Sequence, residues 1–378
     1  GDELFREAMR QSQQRLADTV MTPEMWRDTM EAITGRDLHP FFDDWVFKPG
    51  YSVFEVRRFT AEPMGGTWAV QVRIGQKLYG TTEPHGPTPL SLTLVGEEGQ
   101  VHEAQVSASG LLTEVAVTCP FKPVMAALNR YHWLNQARMD HEATLIPGAT
   151  FGGLLPRTDF RLYADAVPDT ALVRVEHIWS GADQDALGWG VQQVSSTHYW
   201  NVMGAWPEGT QLRGRLLYIG AQAGQWDHEL INGDETGMLA VWRPHADTLW
   251  QIHPYQTVNT GSITNGAGQI DINQLLKGQY AFAKANSAVG MDEPAEPAFA
   301  LYPVPADEQV TIGLPADAHG AAIITVHDAQ GRLALRAVRP AADRVALGVA
   351  SLAPGAYRVS AALSDGRSLG SRSLLVER

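Results

Sequence analysis

Tyr51-Ser-Val-Phe-Glu-Val56 and, a little further on, Trp68-Ala-Val-Gln-Val-Arg-Ile74 mark where the spacing of apolar residues falls from about 3.6 to about 2. The shorter period signals a strand, whose successive side chains point to opposite faces. Leu90-Ser-Leu-Thr-Leu-Val95 and Val115-Ala-Val117 continue it. Gly65-Gly66, Pro87 and Gly99 interrupt it at the intervals of an antiparallel sandwich. Phe121 to Leu145 is expected to close this unit, with a short helix around Leu128 to Met139. Gly148 to Gly153 is a natural boundary.

Upstream of Tyr51 the spacing is helical. Phe5, Met9, Leu16 and Val20 fall near one face. Thr22-Pro23-Glu24 is a helix start, a hydroxyl cap followed by a proline whose missing N–H costs nothing there. Met25, Trp26, Met30 and Ile33 form the stripe behind it, and Gly35 is the stop. Asp37 is expected to cap a third short helix carrying Leu38, Phe41, Phe42, Trp45 and Val46, ended by Pro49-Gly50.

Downstream, a second β unit has strands expected at 160–163, 172–179, 198–203, 212–218, 238–242, 249–253 and 280–283. It holds seven of the eleven tryptophans. Gly290-Met-Asp-Glu-Pro-Ala-Glu-Pro297 is acidic and proline-rich and reads as a linker. A third unit follows, with strands expected at 310–312, 322–327, 333–337, 357–361 and 373–376 and turns at Asp328-Ala-Gln-Gly331 and Asp365-Gly366. The fold class is therefore mainly β, a short N-terminal helical segment followed by three β-sandwich (immunoglobulin-like) units. The expected boundaries are 1–50 for the helical segment, 51–148 for the first sandwich and 149–287 for the Trp-rich second. A linker over 288–298 and a third sandwich over 299–378 complete the chain.

A chain of 378 residues suffices for two to four domains, and 44% hydrophobic with 19% charged residues is a globular composition. The net charge of −13 argues against a nucleic-acid partner, because phosphate contacts need a basic face. No apolar run approaches the roughly 18 residues of a membrane span, so no transmembrane segment is expected. The single cysteine, Cys119, excludes an internal disulfide and reads as a small buried apolar residue. The chain opens Gly1-Asp2-Glu3, without Met or a signal peptide, and is expected to be a piece of a longer protein.

Catalytic signatures are sparse. A zinc hydrolase of the HExxH kind places two histidines four apart on a helix. His141-Glu142 and His228-Glu229 do not complete the motif, and none of the twelve histidines has another four residues away. No GxSxG elbow occurs. Gly261 to Gly268 lacks the Lys-Ser/Thr of a phosphate loop and reads as a turn. Adjacent acids such as Asp43-Asp44 and Asp234-Glu235 point apart and read as solvated or capping groups. No catalytic, cofactor-binding or metal residue is therefore assigned. The tryptophans of the second unit could fill its core or stack on sugar rings; Trp206 and Trp226, in Gly/Pro surroundings, are the best candidates for exposed glycan-stacking residues.

Two segments resemble known families. Met30-Glu-Ala-Ile-Thr-Gly-Arg-Asp-Leu-His-Pro-Phe-Phe-Asp-Asp-Trp-Val-Phe-Lys-Pro-Gly50 resembles the end of the helical catalytic domain of gluzincin-clan zinc aminopeptidases. Thr34, Gly35, Asp37, Leu38, Phe41, Phe42, Trp45 and Gly50 match its pattern, and a β sandwich follows in that family as it does here. Tyr51-Ser52 stand where the family usually has proline. The family's HExxH helix, further Glu ligand, substrate strand and tyrosine have no matching positions in this chain.

Leu301-Tyr302-Pro303-Val304-Pro305 opens a unit that resembles the type A C-terminal sorting domain of the bacterial type IX secretion system. Asp328-Ala-Gln-Gly331-Arg332, Leu352-Ala-Pro-Gly355-Ala-Tyr357 and Ser371 to Arg378 follow in the family's order, with Val304 in place of its usual Asn. The resemblance implies recognition roles for Tyr302, Pro303, Pro305, Asp328, Gly331, Arg332, Gly355, Tyr357 and Arg378, with the secretion machinery as partner.

Together these resemblances imply the non-catalytic C-terminal part of a secreted or cell-surface metallopeptidase-like protein of a Bacteroidota-type bacterium. Zinc and the peptide substrate would belong to the full-length parent, and this chain would carry no cofactor. The alternative is a non-catalytic surface adhesin or glycan-binding protein exported by the same route.

Overall fold

β1 (Tyr51–Met64) and β2 (Thr67–Tyr79) form a long hairpin closed by Gly65-Gly66. Both glycines have positive φ, 56° and 90°, which a two-residue hairpin loop requires and a side chain resists. β3 (Thr88–Gly96), β4 (Val101–Ala108), β5 (Leu112–Cys119) and β6 (Pro123–Leu128) complete two three-stranded sheets, ordered β1-β2-β5 and β4-β3-β6. Phe54, Val70, Val72, Ile74, Leu92 and Leu94 fill the space between them, and Cys119 is buried there too. Burial pushes the Cys119 thiol up, against any nucleophilic use. An extra residue in β1, Arg57, interrupts the pairing with β2 between Val56 and Arg58. Such a bulge shifts the alternation by one, so Phe54 and Val56 join this core before it and Phe59 and Ala61 after it.

The second sandwich comprises β7 (Arg138–Leu145), β8 (Phe151–Leu155), β9 (Phe160–Ala166), β10 (Ala171–Ile178), β11 (Val191–Val194) and β12 (Tyr199–Ala205). It continues through β13 (Gln211–Ile219), β14 (Met238–Arg243), β15 (Gln251–Ile252), β16 (Gln256–Asn259), β17 (Ala267–Ile272) and β18 (Gly278–Ala285). A seven-stranded sheet runs β15-β14-β18-β12-β10-β7 with β11 beside β18, and a five-stranded sheet runs β16-β17-β13-β9-β8. Phe160, Leu162, Val175, Trp200, Leu216 and Phe282 form the core between them.

Two expectations fail at the start of this unit. Residues 138–145, read with the first sandwich, form β7 and pair along their whole length with β10 of the second. The helix expected around Leu128 to Met139 is absent: Asn129 and His132 have φ of 50° and 56°. The Asn129 amide grips Leu134 twice, donating from Nδ2 to its carbonyl at 2.7 Å and accepting its N–H at 2.9 Å. Such local bonds compete with helix formation.

The seven-stranded sheet is covered on both faces. The face away from the tryptophan core carries Arg138, Asp140 and Glu142 on β7, Arg174 and Glu176 on β10, Tyr199 and Asn201 on β12, Gln279 on β18 and Arg243 on β14, in register across the strands. This polar stripe meets the first sandwich. Glu55 of β1 accepts from Tyr199 Oη at 2.6 Å and Gln279 Nε2 at 2.9 Å. The bulge residue Arg57 reaches Asp183 at 3.3 Å, which also pairs with Lys77 at 2.9 Å and Arg243 at 2.6 Å. Burial alone would raise the Asp183 carboxyl; the Lys77 and Arg243 charges outweigh it and hold the carboxyl well below the usual range. Arg138 donates to the carbonyls of Phe54 at 3.1 Å and Leu128 at 2.8 Å, and contacts Glu176 at 3.2 Å. Arg174 pairs with Asp140, Glu142 and Glu176 at 2.9, 2.9 and 3.1 Å.

α1 (Asp2–Arg15), α2 (Pro23–Thr34) and α3 (His39–Phe42), continued by a π-helical turn over Asp43–Phe47, precede β1. Thr22 Oγ1 accepts the Met25 N–H at 3.3 Å, and Gly35 takes the left-handed conformation, φ 65°, at the end of α2. On α1 the buried residues are Ala8 and Ser12; Phe5 and Val20, expected on the inner face, are 55% and 90% exposed. Small side chains let α1 lie close on α2, and the larger ones face outward.

The chain divides into two compact units, Gly1–Val289 and Gly290–Arg378. The computed structural model describes residues 1–285, 299–315, 317–328, 333–363 and 368–377, so the expected linker 288–298 lies outside the described residues. The second unit has its own sandwich: β19 (Ala300–Tyr302), β20 (Gln309–Gly313) and β23 (Arg344–Gly348) oppose β21 (Ala321–Asp328), β22 (Leu333–Pro340), β24 (Gly355–Leu363) and β25 (Ser368–Val376). Val310, Ile312, Ile324, Val326, Leu347 and Val359 form its core. The chain is thus mainly β, with sandwiches behind a short helical segment. Among the described residues no helix is long and apolar enough to cross a membrane.

Replacing Arg174 by Met removes the buried cation that Asp140, Glu142 and Glu176 share, and leaves Arg138 and Arg130 to balance three carboxylates. Urea unfolding is expected to show a loss of about 3–5 kcal/mol. Arg213→Met breaks an exposed pair with Asp165 and an exposed contact with the Tyr163 ring, and is expected to cost about 1 kcal/mol. Equal losses in the two variants would contradict this account.

Candidate functional site

The opening and closing segments of the last unit meet. Ala306, just past Tyr302-Pro303-Val304-Pro305, donates its N–H to the Leu375 carbonyl at 2.8 Å and accepts the Glu377 N–H at 3.0 Å. Tyr302 and Val304 are exposed, and both X–Pro bonds are cis. Asp328 ends β21 and Gly355 begins β24. Tyr357 packs against the core and donates from Oη to the Ala353 carbonyl at 2.8 Å. Gly331, Arg332 and Arg378 lie outside the described residues.

Trp206 and Trp226 are half-buried rather than open. Trp206 lies so close to Gly204 that a Cβ there would stand 2.9 Å from its ring, and Lys277 Nζ sits 4.4 Å from its centroid. It still forms part of the wall of a groove of about 540 Å³ with Asp165, Arg213 and Asn273. Trp226 stacks on His198 at 5.2 Å and packs on Trp179 at 5.9 Å, so its ring is committed to the protein. The open tryptophans are Trp133 and Trp189, 73% and 77% exposed. Trp133 was hidden by the helix reading of its segment, and Trp189 by its place in a unit whose tryptophans mostly fill the core.

Under Trp226 lies a group of polar residues that sequence reading did not connect, because 177, 198 and 227 are far apart in the chain. Asp227 immediately precedes α4 (His228–Ile231). Trp179 Nε1 donates to His177 Nδ1 at 3.4 Å, His177 Nε2 lies 2.8 Å from His198 Nδ1, and His198 Nε2 lies 3.0 Å from Asp227 Oδ1. With the tryptophan as donor, one proton per ring satisfies every step, each imidazole passing a hydrogen bond toward the carboxylate. Asp227 Oδ2 accepts the Ile219 N–H at 3.0 Å. The neighbouring hydroxyls are engaged elsewhere: Thr197 Oγ1 donates to the Trp226 carbonyl at 2.6 Å, and Ser195 Oγ lies 3.1 Å from Thr197 Oγ1. The chain of bonds ties the ends of β10 and β12 to β13 and presents no nucleophile.

No family model matches this chain, and no curated protein matches it.

The dipeptides weighed as metal fragments are engaged elsewhere. Glu142 is paired with Arg130 and Arg174, His228 Nδ1 contacts the Gly220 carbonyl at 2.9 Å, and Glu229 accepts from Ser196 at 3.2 Å. Asp28, Glu31 and His39 bring possible ligand atoms within 4.8 Å of one another. Glu31 already accepts the Leu38 N–H at 2.6 Å and contacts His39 Nδ1 at 2.9 Å, which makes it the clamp between α2 and α3.

Burial holds two histidines neutral. His177 is pushed well below its ordinary value by burial, then by His198; burial lowers His253, which stacks on Tyr280 at 5.4 Å, from 6.5 to about 4. As pH falls through 6.5 the unfolded chain binds protons that the folded chain does not. Their stability contribution is therefore complete above 6.5 and lost toward pH 4, with about 3 kcal/mol from His253 alone. Urea titrations across this window are expected to show the decline, with a shallower slope in His253→Asn. An unchanged slope in that variant would contradict the assignment.

Proposed function

We propose that the chain is the non-catalytic C-terminal part of a secreted, zinc aminopeptidase-like protein, and that residues 299–378 are its type IX sorting domain. The observation that carries this reading is the junction at Ala306. The opening Tyr-Pro element and the terminal strand, the two ends of the resemblance, form one surface on a unit with its own core. An export receptor reading both would find them presented together. The helical segment supports the peptidase half of the proposal: Leu4, Phe5, Met21, Met25, Phe41 and Phe47 are exposed, as suits one layer of a larger helical domain. Localisation at the cell surface or outside the cell follows from the proposed route.

A reporter fused to residues 296–378 is expected to cross the outer membrane of a host carrying the type IX machinery. Deleting 373–378 is expected to strand it in the periplasm. Periplasmic retention of the intact fusion would refute the export reading. Supplied with zinc and aminoacyl substrates, the 378-residue chain is expected to show no turnover above buffer.

A second reading, an exported glycan-binding or adhesin protein, is favoured by the groove at Trp206, where an indole stands among hydrogen-bonding side chains. Glycan binding lost in Trp206→Ala would support it.

A further inference from the structure

We propose that the loop carrying Tyr131 and Trp133, with the cavity beside it, binds an acidic saccharide. The loop between β6 and β7 is tied to β7 by two side chains: Arg130 makes a two-pronged bond to Glu142, Nε to Oε1 at 2.8 Å and Nη2 to Oε2 at 2.7 Å, and the exposed His132 holds Asp140, with Nε2 2.7 Å from Oδ1. Tyr131 and Trp133 remain in solvent, 49% and 73% exposed, with ring centroids 5.9 Å apart and planes 34° from parallel. The Asn129 grip on Leu134 and the Asn129 N–H bond to the Ser91 carbonyl at 2.9 Å fix the base of the loop. Two large rings are thus held in water by a braced backbone. This is the preorganisation that lets aromatic faces bind a ligand at little entropic cost.

The adjoining cavity, about 390 Å³, brings charged side chains next to the rings. Tyr131, Arg130, His141, Glu142 and Arg157 line it, so guanidinium donors and carboxylate acceptors stand side by side, as vicinal hydroxyls require. At its back, the buried Arg174 and Asp140 form an ion pair, Nη2 to Oδ2 at 2.9 Å, which fixes the floor of the cavity. The lining holds three arginines, Arg130, Arg157 and Arg174, against two carboxylates, Asp140 and Glu142. Arg157 is exposed and has no carboxylate partner among the described residues. That surplus charge selects a sugar bearing a carboxylate. A neutral peptide fits less well, because it brings no anion to the exposed Arg157 guanidinium.

The inference depends neither on the export reading nor on the Trp206 groove. Its test is calorimetry on the full chain with uronic- and sialic-acid oligosaccharides, neutral oligosaccharides of equal length, and a mixed peptide library. Binding of an acidic oligosaccharide is expected, weakened at least tenfold in Trp133→Ala. Arg157→Gln is expected to remove the preference for acidic over neutral sugars, and Trp206→Ala to change nothing. Both altered side chains at the site are exposed, so unchanged thermal unfolding of those variants separates lost binding from misfolding. Binding of none of these sugars, equal binding of neutral ones, undiminished binding in Trp133→Ala, or binding of peptides instead would each overturn the proposal.

Discussion

Residues 1–285 depend on the charge balance across one buried surface. The polar face of the seven-stranded sheet is pressed against the first sandwich, and a single uncompensated charge there would cost several kcal/mol. The arrangement avoids that by giving each carboxylate at least one cationic or hydrogen-bonding partner: Glu55 has Tyr199 and Gln279, Asp183 has Lys77 and Arg243, and Glu176 has Arg138 and Arg174. The bulge at Arg57 serves this surface, because the extra residue sends a guanidinium across to Asp183 while the strand continues into its own core. Directional pairs of this kind demand one register and one orientation, whereas an apolar interface would tolerate sliding.

That surface also explains what the amino-acid pattern conveyed and what it concealed. Strands facing solvent on one side, such as β13, alternate plainly, and the expected span 212–218 lies within Gln211–Ile219. β7 reads Arg-Met-Asp-His-Glu, a charged stretch with no apparent reason to enter a sheet. Its charges are buried only because Arg174 and Glu176 come opposite them from more than thirty residues away, and no local pattern carries that information. The same limit governs the tryptophans. Gly224 beside Trp226 suggests a loop, but the burial of the ring depends on His198, which arrives from a segment distant in the chain. Trp133 is the reverse case. Its segment reads as a short helix, and the asparagine grip at residue 129 makes it a braced loop instead.

In the last unit the residues that carry the resemblance lie at turns and ends rather than in the core. The core of the unit is interchangeable aliphatic packing. What distinguishes it is that Ala306 draws the Tyr302–Pro305 element onto the final strand, so truncation at either end would dismantle both. This suits the proposed export role, in which a receptor must recognise a folded terminus rather than a linear peptide.

Exposed apolar groups occur in two settings, and the setting separates their uses. On α1 to α3 and the turns between them they are flexible aliphatic, methionine and phenylalanine side chains, a surface suited to being covered by further protein. At Tyr131 and Trp133 they are rigid rings on a clamped loop, bordered by paired charges that stay in place when the site is empty. Covering the loop with an apolar protein surface would bury Arg157 without a partner, which the desolvation cost of a lone guanidinium opposes. A small ligand that brings its own carboxylate removes that cost.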